Sequence, residues 1–519
     1  MTPFRPPVLS RRAALTLAVS GLLAGLAAGC RHEPPKIEPL PAKSNILLIT
    51  VDTLRADHLS AWGYERPTSP TIDRLAAEGV RFDQASVQWP KTTPSFASMF
   101  TSTYAKDNGM VRKVGVPLSC KFTTLAENLQ RQGYATAAVV ANGALGSEFH
   151  FDQGFDVYIE TWKLDHGGAA DPTKDPNGAE AVTKLAEGLL AQLDKASKGG
   201  KPWFLWVHYL DPHAPYTPPG EYAGKFQGDA HFDPSSKIDV VAKPNQQMMG
   251  IGQKQVLEGH TDLAFYRARY DAEISYNDAQ IGRLLGEMKR RQMLGKTLTV
   301  FTADHGESLG EHAYYFDHGR FSFQTCLRVP LIVHYPGVLA PRVDHNPVEL
   351  IDLAPTLLEA AGGSVPATVP LQGHSLTPRL RGIELPVPAA SKEGDPWLRP
   401  PGTAFSESGW ETDNKWQKVV RDRRFKLILA QTRPEQRWIG GEGIRFTLYD
   451  LQNDPGETQN VADKYPDDLE RLKKELWAWD RAPHLNAETD TQIPATCAET
   501  AGREMDDETR KLLESLGYL

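Results

Sequence analysis

The sequence predicts an α/β fold: a large, mostly parallel sheet flanked by helices, followed by a smaller C-terminal α+β domain. Three observations carry this. Apolar, β-rich runs alternate with helix-patterned stretches from residue 45 to about residue 335, the pattern of a parallel sheet covered by helices. Asp52, Asn142, Asp211, His213, Asp304 and His305 all fall at or just beyond the C-terminal ends of predicted strands, the edge at which open α/β sheets bind ligands. Proline and glycine thicken from Gly362 to Pro401, which marks a junction before a second unit.

The elements follow in order. Asn45 to Val51 (NILLITV) is a strand apolar on both faces, ending at Asp52. "SPTIDRLAAEGV" reads as a helix with Ser69 as cap, Pro70 at its first position and Gly79 as stop. "TTLAENLQRQGY" reads as a helix capped from Thr123, and "ATAAVV" as a strand leading to Asn142. Ala179 to Ala196 is helix-patterned, "WFLWVHY" is a strand before Asp211-Pro-His213, and a long helix over about Tyr266 to Arg291 precedes the strand "TLTVFTADHG". Weak periodicity over 215–261 marks a substrate-facing loop. "FKLILA", "FTLYDL" and a helix over about Pro466 to Trp479 make up the second unit, and "DDETRKLLESLGYL" reads as a short terminal helix. The expected organisation is a catalytic domain over 44–375, a junction over 376–400, the small domain over 401–480 and a tail over 481–519.

The chain of 519 residues is 40% hydrophobic and 24% charged, with a formal charge of −8. That balance is globular, and it argues against a nucleic-acid partner, which needs a basic stripe. Arg11-Arg12 precede an apolar run too short to span a bilayer comfortably, so residues 1–29 read as an export signal. "LAAGC" resembles a bacterial lipobox, with Leu26 one place further from the cysteine than usual, and "SRRAAL" resembles a twin-arginine signal. Cys30 is then the expected lipidation site, and the proline-rich stretch 30–43 a tether to the membrane of the cell envelope. Three cysteines remain, so at least one thiol has no partner within the chain; Cys326 is expected to be buried, and pairing of Cys120 with Cys497 stays open.

Two stretches carry chemistry. In "TADHGE", Asp304 and His305 leave a buried strand, and Asp52 leaves another; carboxylate and imidazole donors suit one divalent ion, zinc or manganese rather than calcium. In "WPKTTPSFASMF", Thr92 stands before Pro94 and a short helix. The free N–H groups and positive dipole end of that helix favour an anionic ester. Metal coordination would activate the Thr92 hydroxyl, while Thr93 reads as no more than a cap.

"NILLITVDTLRADHLSAWGY", "SPTIDRLAAEGVRFDQAS", "DAEISYNDAQIGRLL", "FTADHGESLGEH", the later "DHG" with "LRVPLIVHYPG", and "LYDLQNDPGETQN" together resemble the sulfatases, within the alkaline-phosphatase-like superfamily. The resemblance implies metal ligands Asp52, Thr92, Asp304 and His305, where many members have Asn at the last position. It implies that His213 and His318 contact the substrate anion or leaving group, and that Asn142 stands near the place of an anion-binding lysine. Three residues that define sulfatases are absent. The C/S-x-P-x-R motif reads Thr92-Thr-Pro-Ser-Phe96, so oxidation would give a ketone and no formylglycine is expected; Phe96 replaces the supporting arginine; and "VANGALG" replaces the lysine segment.

The pattern resembles the threonine-nucleophile branch, which implies hydrolysis of phosphate mono- or diesters or phosphonates over sulfate esters, on a small-molecule, glycan or lipid substrate. Three other readings remain: an arylsulfatase-like sulfuric ester hydrolase, a phospho-group transferase on envelope lipids or glycans, and a non-catalytic binding lipoprotein.

Overall fold

The computed structural model describes residues 38–111, 116–164, 178–228, 237–241, 250–363, 371–383, 399–400, 402–410, 415–432 and 443–482. Contacts divide the chain into residues 1–38 and 39–519, and every element below belongs to the second unit. Cys30 and Cys497, like residues 30–37 of the expected tether and the terminal helix, lie outside the described residues. Among the described residues no helix is long and apolar enough to cross a membrane.

The central sheet has nine strands: β1 (Asn45–Val51), β2 (Val80–Ser86), β3 (Ala135–Val140), β4 (Val157–Glu160), β5 (Trp203–Tyr209), β6 (Thr297–Ala303), β7 (Arg328–His334), β8 (Arg342–Asp344) and β9 (Val348–Glu349). Their order is β8-β2-β7-β6-β1-β5-β3-β4, with β9 also beside β2. β1 lies at the centre and runs parallel to both neighbours, Ile49 facing Val207 on one side and Phe301 on the other. All seven of its residues are buried, which explains why it reads as an unbroken apolar run rather than an alternating one. β7 is antiparallel to both β6 and β2, so the parallel expectation holds for the half of the sheet that carries Asp52, Asn142, His213 and Asp304.

Helices α1 (Pro70–Glu78), α4 (Ala179–Lys198) and α5 (Leu263–Arg290) pack together over β3, β5 and β7. Helices α2 (Thr92–Thr101), α3 (Leu125–Arg131) and α6 (Leu353–Ala360) form a second set. Two caps differ from expectation. Ser69 stands before α1 but makes no capping bond; Asp278 of α5 accepts from the Thr71 and Ile72 N–H groups instead. The cap of α3 is Thr124 rather than Thr123, in a reciprocal box with Glu127.

The C-terminal unit is a four-stranded antiparallel sheet in chain order: β10 (Ala404–Trp410), β11 (Lys415–Arg421), β12 (Phe425–Thr432) and β13 (Gly443–Asp450), backed by α7 (Pro466–Asp480). The two strands read from sequence are its inner and outer members, β12 and β13. Along β12, Phe425, Leu427 and Leu429 enter a core with Leu472 and Leu476 of α7. Ile428 and Ala430, on the opposite face, join the main core. Both faces are covered, so period-two alternation is masked.

Candidate active site

The C-terminal ends of β1 and β6 place Asp52, Asp304 and His305 together, all three fully buried. One donor atom from each lies within 4.8 Å of the other two. His305 Nε2 is 3.3 Å from Asp304 Oδ2 and 3.7 Å from Asp52 Oδ1. The imidazole is oriented by its other nitrogen, since Nδ1 donates to the Gly306 carbonyl at 2.9 Å and leaves the Nε2 lone pair facing the carboxylates. Asp304 Oδ1 accepts from the His305 and Thr53 N–H groups at 2.9 and 3.3 Å.

Asp52 Oδ1 and Asp304 Oδ2 are buried and accept no hydrogen bond among the described residues. A lone pair facing two such oxygens is repulsive unless a cation lies among them, so these residues fit a divalent ion.

Thr92 stands beside the cluster at His305. It is the first residue of α2, with Lys91 as N-cap, and its Oγ1 is 3.3 Å from His305 Nε2. The sequence places Thr92 just ahead of the helix; it belongs to the first turn. Ser95 Oγ donates to the Asp304 carbonyl at 2.6 Å, which ties the start of α2 to the end of β6. Thr93 is not a cap: its Oγ1 donates to the Ala144 carbonyl at 3.4 Å.

The remaining predicted residues divide into two groups. His213 and His318 stand beside the cluster, their rings 5.4 Å apart, with His318 4.1 Å from the His305 ring. His318 Nδ1 bonds Glu307 Oε1 at 3.1 Å, and His213 Nδ1 donates to the Ala214 carbonyl at 2.8 Å. Asn142, expected at the substrate, lies against Asp52: its Nδ2 donates to Asp52 Oδ2 at 2.5 Å, while its Oδ1 accepts from Ala144 N.

Two residues escaped sequence reading. His208 sits inside β5, with Nδ1 3.0 Å from Thr50 Oγ1 and Nε2 3.6 Å from Asp52 Oδ2. Its only signal was an imidazole in an otherwise apolar strand. Glu307, two places after His305, is buried and holds His318; its signal was an acid following "DHG". Phe96 packs edge-on to His208 at 5.0 Å and against Trp206 at 5.0 Å, so an aromatic wall fills the position expected for an arginine.

The electrostatics are those of crowded like charges. Burial raises the Asp52 carboxyl, but the His208 contact and the charges of His213 and His305 overcome it and hold the group well below the usual range. Burial and the neighbouring Asp52 charge push Asp304 well above that range. Burial and His318 lower His305 to about 3, and burial with His213 lowers His318 to about 4. Burial raises Glu307 to about 7, against the opposing charges of His213 and His305. For His213, burial lowers the value, yet the Asp52 and Glu307 charges win and raise it. Away from the cluster, Cys326 is a buried free thiol and Cys120 is disulfide-bonded.

The comparisons give the family and the fold. The Sulfatase family model matches residues 44–364, and the model for N-sulphoglucosamine sulphohydrolase, C-terminal, matches residues 310–481. Choline-sulfatase from Rhizobium meliloti (strain 1021) is 27% identical over 490 residues, covering 86% of this chain and 88% of the relative. N-acetylglucosamine-6-O-sulfatase from Bacteroides thetaiotaomicron is 25% identical over 509 residues, covering 85% and 86%. The phosphonate monoester hydrolase of Agrobacterium radiobacter superposes with a TM-score of 0.61 at 24% identity over 84% of this chain and 95% of that one. A protein bound to D-glucosamine-2-N,6-O-disulfate superposes at 0.64 with 21% identity over 86% and 100%. The structural likenesses show a shared fold. The match over residues 44–364 covers the central sheet and every residue of the cluster, and on it the chain belongs to the sulfatase family of ester hydrolases.

Proposed function

We propose that this protein is a metal-dependent hydrolase in which Thr92 is the nucleophile, acting on phosphate mono- or diesters or phosphonates in preference to sulfate esters. The observation that carries this is the placement of Thr92 Oγ1, 3.3 Å from His305 Nε2 at the first turn of α2. Asp52, Asp304 and His305, with Thr92, would hold one divalent ion, and oxygen donors with an imidazole favour zinc or manganese over calcium. When bound, that ion supplies the positive charge that lowers the hydroxyl's pKa and polarises a non-bridging oxygen of the ester.

The chain's own residues do the rest. Thr92 Oγ1, its hydroxyl proton released to solvent, attacks phosphorus, its bond to phosphorus forming as the bond to the leaving oxygen breaks. The result is a phosphothreonine, or its phosphonate counterpart. First-turn N–H groups of α2 stabilise negative charge on the transferred group. His213, whose surroundings favour the protonated imidazole, supplies a proton to the leaving oxygen, and His318 contacts the anion. Water then attacks the same central atom, giving a proton to the now neutral His213, and the threonine oxygen leaves and regains its proton from solvent. A gem-diol can expel sulfate by collapsing to an aldehyde; a threonine ester cannot, so the second displacement must occur at the central atom. Phosphorus accepts that attack more readily than the sulfur of a sulfate ester. The relatives include sulfatases and a phosphonate monoester hydrolase, so the preference rests on the chemistry of threonine.

The test is turnover of p-nitrophenyl sulfate, phosphate, bis-phosphate and phenylphosphonate with zinc or manganese, beside Thr92→Ala. We expect phosphorus esters to be preferred and Thr92→Ala to lose at least about a thousandfold in kcat. Sulfate turned over best, with Thr92→Ala still active, would overturn the reading. In the same reading, residues 1–29 direct export and a lipid on Cys30 holds the enzyme at the envelope membrane, facing a glycan, lipid or small-molecule ester; support comes from the sequence pattern of that segment.

A further inference from the structure

Strand β10 touches two active-site segments that are far apart in sequence. Toward the nucleophile, Ser406 Oγ donates to the Val87 carbonyl at 2.6 Å and Glu407 N donates to the Gln88 carbonyl at 2.8 Å, a few residues before Thr92. Toward His318, Ser408 Oγ lies 2.7 Å from Ser322 Oγ and donates to the Arg320 carbonyl at 3.3 Å. The neighbouring strand adds Gln417, whose Oε1 accepts from Ser322 N at 2.8 Å. From β12, Lys426 Nζ donates to the Ser322 carbonyl and pairs with Glu457 at 2.6 Å; Glu457 in turn accepts from Gln324 N at 2.6 Å. The two segments also meet directly. A Cβ added to Gly319, which has φ +87°, would lie 3.5 Å from Lys91 Cδ and 3.6 Å from the Pro90 carbonyl.

Two features argue that these bonds do more than hold one domain against the other. Lys426 and Glu457 are 0% and 2% exposed, and a buried ion pair of this kind adds little stability over apolar residues of the same volume. What it adds is direction, because each partner spends a hydrogen bond on the 322–324 backbone. Glu457 also adopts a left-handed φ of +56°, a conformation that is strained for a non-glycine residue and here accompanies a carboxylate aimed at that backbone.

We infer that the C-terminal sheet is a positioning element of the reaction: Ser406, Ser408, Gln417 and the Lys426–Glu457 pair hold the segments bearing Thr92 and His318 on one frame. The inference rests on reading Thr92 and His318 as parts of the reacting site. None of the five touches substrate in this scheme; they act by fixing the separation of hydroxyl and imidazole, to which displacement is steeply sensitive.

The test compares full-length Ser408→Ala and Gln417→Leu with wild type, using p-nitrophenyl phenylphosphonate, or p-nitrophenyl sulfate if that is the better substrate. Ser408→Ala is a small change that secures a folded variant, Gln417→Glu keeps an acceptor for Ser322 N, and Arg424→Ala removes the partly exposed partner of Asp450 in the turn before β12. We expect kcat to fall about tenfold or more in Ser408→Ala and Gln417→Leu, with KM within about twofold and bound metal per chain unchanged. Gln417→Glu should recover most of the loss, and Arg424→Ala should match wild type. Wild-type kcat in folded Ser408→Ala and Gln417→Leu, with Thr92→Ala inactive, would overturn the positioning role alone. Activity surviving in Thr92→Ala would overturn the nucleophile reading on which it rests.

Discussion

Asp52 shows how one side chain is divided between two duties. Its Oδ2 is held by Asn142 at 2.5 Å, with His208 at 3.6 Å, while Oδ1 is left facing His305 and the partnerless oxygen of Asp304. A carboxylate pinned through one oxygen presents the other at a fixed point, which is what a metal ligand needs. Removing the pin in Asn142→Ala is therefore expected to weaken zinc or manganese affinity by about 10–100-fold, measured by calorimetry on the purified protein. Unchanged affinity would mean that Asn142 does not hold Asp52. Thr53, next along, adopts a left-handed φ of +53° and is fixed there by Tyr270, whose hydroxyl donates to its carbonyl at 2.7 Å. The candidate ligands Asp52, Asp304 and His305 were legible in the sequence because they are polar where apolar strands stop. His208 was not, because a histidine midway along a buried strand looks the same whether it buttresses a carboxylate or a backbone group.

At the level of elements, boundaries were easier to read than partners. Ser69, Pro70 and Gly79 delimit α1 as expected, yet the bonds that satisfy its first turn come from Asp278, about two hundred positions later and on another helix. Local sequence cannot display a cap supplied from α5, because the approach of the two helices creates it. Asp278→Ala leaves two first-turn N–H groups, that of Ile72 buried, without their acceptor. It should lower stability by about 1–2 kcal/mol in urea unfolding. Because α1 contributes no residue to the cluster around Asp52, turnover should be retained; a loss below a few tenths of a kcal/mol would show that Ser69 or water substitutes. The same limit hid the direction of β7, whose apolar run fits either orientation until it is seen between β2 and β6.

At the scale of the whole molecule, the two domains are not independent modules. Tyr104 and Ile351 of the larger domain lie in the core of the C-terminal sheet, and Tyr104 donates to Glu349 at 2.8 Å. Arg399, at the junction, pairs with Glu349 and with Asp352 at 2.7 Å. Residues of the larger domain thus take part in the core of the C-terminal sheet. If Cys30 carries a lipid, cells fed a labelled fatty acid should label the wild-type protein and not Cys30→Ala, and the variant should leave the membrane fraction. Equal labelling of both would exclude Cys30 as the site.

By itself, the sequence determined strands β1, β3, β5 and β6, the family resemblance and the grouping of Asp52, Asp304 and His305 at one sheet edge. These follow from short-range features: unbroken apolar runs of strand length, and polar residues where those runs end. Tertiary structure alone decided what surrounds the ligands. Asn142 and His208 meet Asp52, and β10 spans the approaches to Thr92 and His318. These contacts join residues tens to hundreds of positions apart, and directional hydrogen bonds between such residues exist only once the packed elements bring donor and acceptor within reach.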